Sequence, residues 1–163
     1  MSTLPASAQG PSEYQVKAAF LYNFAKFVEW PTGTSGGDGD ALVVCAMGED
    51  PFEHALEDVV KGKSFNGKTF EVRYVSTIRE ARSCGVLFIS SSERKRVGSI
   101  LEGLKGASVL TVGDTPGDAK RGCIIDFLLE DNRVRFEINV KAANLANLKI
   151  SAKLLSLAKV VWE

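Results

Sequence analysis

The sequence predicts a single three-layer α/β domain: a mostly parallel sheet in flavodoxin-like order, followed by an antiparallel hairpin and two closing helices. Three observations lead there. Strand-like runs at 42–47, 70–75, 86–90 and 109–112 alternate with helical patterns, the rhythm of βαβ units. Apart from 70–75, where Glu71 and Arg73 intervene, these runs are near-continuously apolar, as strands covered on both faces must be. After residue 122 the rhythm breaks, because the runs 123–129 and 133–139 flank Glu130-Asp131-Asn132 with no room for a crossover helix, which makes a hairpin. With 163 residues and 45% hydrophobic content, the chain suits one core, and a domain of this size buries roughly 70% of its unfolded surface.

Residues 1–11 are small and polar without apolar periodicity, and Ala6-Ser7-Ala8 has the small-x-small pattern of a signal-peptidase site. They read either as a disordered tail or as a signal-peptide remnant, with the domain running over 12–163. Ser12 and Gln15 form a capping box that opens a helix over 14–30, with Val16, Phe20, Phe24, Phe27 and Val28 at helical spacing and Pro31 as its stop. The Gly/Ser/Thr/Asp segment 32–40 is expected to be a mobile loop.

The helices between the strands have start signals. Asp50-Pro51 with Glu53 reads as an N-cap, an N1 proline and a box; Thr77 with Glu80 is a second box; Ser90-Ser91-Ser92 precedes a helix over 93–104. Gly62, Gly85 and Gly106 fall where helices should stop. In the hairpin, Val134, Phe136 and Ile138 alternate with Arg133, Arg135 and Glu137, the pattern of a half-buried edge strand. Helices over 140–148 and 151–162 close the chain, the second with Leu154, Leu155, Leu157, Ala158, Val161 and Trp162 on a broad apolar face.

Twenty basic residues balance twenty acidic ones, so no long-range field draws the chain to nucleic acid or an anionic membrane. No apolar run approaches the roughly 18 to 20 residues of a bilayer span. Cys45, Cys84 and Cys123 lack the spacing of a zinc or thioredoxin site and read either as buried thiols or as one disulfide plus one free thiol. His54 is the only histidine, so no Ser-His, Cys-His or HExxH arrangement can be built. Gly62-Lys63-Ser64 ends like a phosphate-binding loop, but Glu57 stands where its first glycine belongs. Capping accounts for Ser90-Ser91-Ser92, which lacks the elbow that exposes a nucleophile. Glu49, Asp50, Ser91, Asp114 and Asp118 are expected at the carboxyl ends of parallel strands, the usual ligand crevice of open α/β sheets. The expectation is a binding protein without catalytic residues, metal or cofactor.

Four tracts carry a resemblance: Tyr14-Gln-Val-Lys-Ala-Ala-Phe-Leu-Tyr-Asn-Phe-Ala-Lys-Phe-Val-Glu-Trp-Pro31, Leu87-Phe-Ile-Ser-Ser-Ser-Glu93, Leu110-Thr-Val-Gly-Asp114, and the hairpin 125–139 with Leu148-Lys-Ile-Ser-Ala-Lys-Leu-Leu155. In order and over nearly the whole chain, they resemble the YfiR family of periplasmic regulators. The resemblance implies an exported, non-enzymatic repressor that binds the periplasmic sensing domain of an inner-membrane diguanylate cyclase, lowering cyclic di-GMP and biofilm formation. It also implies sequestration by an outer-membrane lipoprotein, and a homodimer is compatible with it. Exposure patterns nominate Arg133, Arg135, Glu137, Lys153, Leu157 and Trp162 for the partner surface. The alternative is a small-ligand domain using Glu49, Asp50, Ser91 and Asp114.

Cys45 and Cys84 occupy positions resembling a family disulfide, which an oxidising periplasm permits. The predicted topology raises a difficulty, since Cys45 lies late in its strand and Cys84 just before its own, which threatens the roughly 7 Å limit on Cα separation. A second pair seen in some members is missing here, leaving Cys123 alone.

Overall fold

The computed structural model describes residues 12–34 and 39–163. The 1–11 tail with Ala6-Ser7-Ala8 and the centre of the 32–40 loop lie outside the described residues. Helix α1, Glu13–Lys26, begins with the expected box: Gln15 N–H donates to Ser12 Oγ at 3.3 Å, and Ser12 N–H to Gln15 Oε1 at 2.8 Å. It ends four residues earlier than its apolar pattern predicts. Val28–Glu29 forms strand β1, paired antiparallel with β9 at Lys149–Ile150, and Ser151 N–H donates to the Phe27 carbonyl at 2.9 Å. Pro31 also disfavours helical backbone at Trp30, so these residues take partners from another strand. The buried stripe is Ala18, Leu21, Phe24 and Ala25 with Lys17 among them.

The main sheet contains β2 (Ala41–Met47), β3 (Ser64–Phe65), β4 (Lys68–Val75), β5 (Val86–Ile89), β6 (Leu110–Gly113), β7 (Ile125–Glu130), β8 (Arg133–Asn139) and β10 (Val160–Trp162), in spatial order β10-β8-β7-β6-β5-β2-β4-β3. Its parallel part, β4-β2-β5-β6-β7, has the flavodoxin-like order that the alternation predicts. Side chains of a strand alternate between faces. Val44 and Ala46 therefore join Phe24, Phe88, Val112 and Phe127 in the core under α1, while Val43, Cys45 and Met47 join Leu87, Ile89 and Ile100 in the core on the other face. Phe24 knits the first core, its ring centroid 5.7 Å from Phe127 and 5.0 Å from Phe136.

The remaining helices are short: α2 (Ala55–Val60), α3 (Ile78–Ala81), α4 (Val97–Gly103), α5 (Asp118–Arg121), α6 (Val140–Leu145) and α7 (Ala152–Leu157). Among the caps predicted between strands, only the Thr77–Glu80 box starts its helix as expected. Asp50 does not cap a helix; its Oδ1 accepts the Phe52 N–H at 2.8 Å, and α2 begins beyond His54. Ser90 caps a single 3₁₀ turn at Ser91–Glu93, and α4 follows after it. Residues 114–117 turn after β6 and lead into α5, a helix too short for periodicity to predict. A further unpredicted feature is the β3–β4 hairpin, whose Asn66-Gly67 turn has φ of 54° and 77°, both positive as a type I′ turn requires.

The end of the chain differs most. The 151–162 segment is not one helix: after α7, Ala158 is extended, Lys159 N–H donates to the Phe136 carbonyl at 2.8 Å, and Val160–Trp162 runs parallel to Glu137–Asn139. Val160, Val161 and Trp162 are strong strand formers, and pairing satisfies their backbone. Strand β8 is therefore interior to the sheet, not its edge. Likewise 140–148 shortens to α6, with Asn147 at φ 60° turning the chain into β9.

Cys45 and Cys84 are joined by a disulfide, with Cα atoms 6.1 Å apart. The anticipated difficulty is absent because Cys84 does not extend β5 backwards. Its N–H donates to Ala81 O as the last turn of α3, which brings it over the sheet face where Cys45 points.

Candidate functional site

At the strand ends where a ligand crevice is expected, the protein's own side chains pack together. Gly48 leaves β2 with φ of 96°, and a Cβ there would lie 2.6 Å from Ser92 Oγ, so only glycine lets the β2 and β5 exits close together. The Ser92 hydroxyl accepts the Glu49 N–H at 2.9 Å, and the Ser92 N–H in turn reaches Ser90 Oγ at 3.4 Å. Glu49, Asp50 and Ser91 remain exposed around this closure.

Asp114 follows β6 and is removed from solvent by α1. Its Oδ2 accepts the Tyr14 hydroxyl at 2.6 Å and its Oδ1 accepts Lys17 Nζ at 2.6 Å. Lys17 also pairs with Glu13, 2.5 Å away, and lies 4.6 Å from the Tyr14 ring centroid. Tyr14 packs edge-on against Phe52 and Phe52 against Phe88, with centroids 5.5 Å and 4.7 Å apart. Burial and the Asp114 hydrogen bond push the Tyr14 hydroxyl well above its usual pKa, so it stays a donor. Neither Lys17 nor Tyr14 has a role predicted from the sequence. A lysine on a helix reads as solvated, and only its i,i+4 relation to Glu13 hints at a pair.

A second acidic group lies beyond β6 and β7. Asp118, fully buried, accepts the Thr115 N–H at 3.2 Å and faces Arg121 at 3.3 Å. Gly113 makes this approach possible, since a Cβ there would lie 2.3 Å from Asp118 Oδ2. Asp126 on β7 is also buried, and its Oδ1 has no hydrogen-bond partner. Burial, with repulsion from Asp118 and then Glu137, raises its pKa to about 7, against the pull of backbone N–H groups at 118 and 119. Burial likewise pushes the Cys123 thiol well up, which leaves it inert as a nucleophile.

No group of three or more His, Cys, Asp or Glu with the geometry of a metal site occurs among the described residues. His54 is exposed and makes no side-chain cap bond.

The six residues nominated for a partner surface divide between two faces. Arg133 is exposed near the hairpin tip; Arg135 donates to Glu130 Oε1 at 3.0 Å, and Lys159 also reaches Glu130. Trp162 Nε1 donates to Glu137 Oε1 at 3.0 Å, with Lys120 5.1 Å over its ring. Arg133, Arg135, Glu137 and Trp162 share the β8–β10 face turned away from α1. Lys153 instead stacks 5.4 Å from the Phe27 ring on the α1 side, and Leu157, 55% exposed, follows it on α7.

A family model described as YfiR/HmsC-like matches residues 14–159. No protein of curated function matches the chain. Among solved structures, a conserved domain protein from Vibrio cholerae O1 biovar El Tor strain N16961 aligns with a TM-score of 0.59 at 10% identity, over 92% of this chain and 60% of that one. An ABC domain from Streptococcus pneumoniae, solved in complex with L-Trp, aligns with a TM-score of 0.54 at 12% identity, over 74% of this chain and 55% of that one. The chain thus spans less than two thirds of either solved chain, and identities this low speak to shared fold alone.

Proposed function

Because the chain belongs to the YfiR/HmsC-like family, we propose that it is a periplasmic regulatory binding protein, not an enzyme. It holds an inner-membrane diguanylate cyclase inactive by binding the cyclase's periplasmic sensing domain, which lowers cyclic di-GMP and biofilm formation. The observation that carries this reading is the family match over residues 14–159, nearly the whole chain. Two features support it. At the strand ends Tyr14 and Lys17 already engage Asp114, and Tyr14 packs on Phe52, which favours a protein surface over a strand-end ligand site as the means of action. The Cys45–Cys84 disulfide fits an oxidising compartment.

The partner face is Arg133, Arg135, Glu137 and Trp162 on β8–β10, with Lys153 and Leu157 on α7. An outer-membrane lipoprotein that sequesters the repressor, and a homodimer of the chain, are further parts of the same proposal. No helix among the described residues is long and apolar enough to cross a membrane. The reading is tested by calorimetric titration of the chain into the isolated periplasmic domain of a GGDEF membrane protein from the same genome. Saturable binding that Arg133→Glu weakens supports it; the absence of binding to every such domain overturns it.

The second reading, a small-ligand domain using Glu49, Asp50, Ser91 and Asp114, rests on the exposure of the first three at the β2 and β5 exits. Asp114 would have to exchange Tyr14 and Lys17 for the ligand.

A further inference from the structure

At the opposite end of the sheet from Asp114, a groove of about 650 Å³ runs between α4 and α6. Its position follows from topology. Strand β8 is antiparallel to β7, so α6 starts beside the residues that lead into β6 and β7, and Val109 and Ile124 form the floor. Leu101 and Leu104 of the α4 side form one wall, and Ala142, Leu145 and Ala146 of the α6 side form the other. Leu145 is 75% exposed, the most exposed large hydrophobic side chain among the described residues. Burying such a side chain removes apolar surface from water, a gain that the isolated chain forgoes.

The rim has a definite charge. Lys105, Arg121 and Lys141 line the groove against a single anion, Glu102, in a chain whose total charge is zero. Lys105 pairs with Glu102 and Arg121 with Asp118, while Lys141 has no ionic partner among the described residues. The groove also joins the β8–β10 face: Arg121 lines it, and the adjacent Lys120 covers the Trp162 ring.

We propose that this groove docks an amphipathic helix of the cyclase's sensing domain, with apolar side chains set against Leu101, Leu104 and Leu145 and flanking acidic side chains against Lys141 and Arg121. The inference rests on the cyclase-repressor reading and names a second contact within it. An apolar floor between two helices accepts an apolar helix face, and the cationic rim selects acidic flanks over basic ones.

Leu145→Asp and Lys141→Glu both alter exposed positions, so circular dichroism and urea midpoints should match those of the native chain. Titrated into the cyclase sensing domain, Leu145→Asp should weaken binding tenfold or more, and Lys141→Glu three- to tenfold with a shallower salt dependence. Native affinity in both folded variants overturns the groove assignment while leaving the repressor reading intact. If the native chain itself binds no cyclase domain, both fall. If Leu145→Asp changes the sedimentation coefficient of the chain but not its cyclase affinity, the occupant is a second copy and the proposal is wrong.

Discussion

Lys17 Nζ lies 2.6 Å from Asp114 Oδ1, joining α1 to the carboxyl end of β6 across 97 residues, with both side chains at most 4% exposed. A buried pair of this kind gives little net stability when intact, yet removing one partner strands the other charge away from water. Lys17→Met should therefore lower unfolding free energy by about 3 kcal/mol. Combining it with Asp114→Asn should recover much of that loss, because the amide oxygen of the replacement side chain can still accept the Tyr14 hydroxyl. Urea denaturation of the single and double variants measures both, and equal loss in the two would show that the ion pair is not the source.

Asp126 makes stability depend on pH. Its folded pKa of about 7 lies above the ordinary carboxyl value, because burial opposes ionisation. Between roughly pH 4 and 7 the unfolded chain has released this proton while the folded chain retains it, so stability falls as pH rises through that window and levels off above it. Asp126→Asn should flatten the decline and leave the variant more stable by roughly 2 kcal/mol at pH 8. Thermal melts of both proteins from pH 4 to pH 8 read the difference directly.

The disulfide closes a loop with a sequence separation of 39. In the chain-entropy account, reduction should remove about 4 kcal/mol. Unfolded without reductant, the chain should present one reactive thiol, that of Cys123. Three thiols would exclude the bond.

Trp162 fastens β10 through Glu137 and Lys120. Trp162→Ala should accelerate hydrogen exchange at the amides of 160–162 tenfold or more, with the amides of β5 and β6 unchanged. A uniform change across all strands would mean that β10 opens only with the whole domain.

The parallel sheet and its order are legible in the sequence because its strands alternate with capped or turn-rich segments, and β2, β5 and β6, buried on both faces, are near-continuous apolar runs. Strands of two or three residues are not legible. Val28–Glu29, Lys149–Ile150 and Val160–Trp162 are too short to show a period, and two of them sit inside segments whose spacing also suits a helix. Asn66-Gly67 is an available hairpin signal that goes unused because only two apolar-compatible residues precede it. At the strand ends, Asp114 is legible from its place after a strand. Its partners are not, since contacts across 97 and 100 residues leave no local trace. Asp126 is hidden for another reason: in a half-polar hairpin a carboxylate reads as outward-facing, and only α5 lying over it makes it interior.

The short strand β10 has a further consequence for how the protein avoids its own kind. Without residues 160–162, the Glu137–Asn139 end of β8 would become an open edge beside the buried Phe136 and Ile138, a ready template for strands of other molecules. Three residues, held by their pairing with Glu137–Asn139, an indole hydrogen bond and a stacked lysine, act as a selvedge on that fabric. They are also translated after the rest of the sheet. Until they dock, the folding chain is open to aggregation along β8, and protease nicking between α7 and β10 would return it to that state.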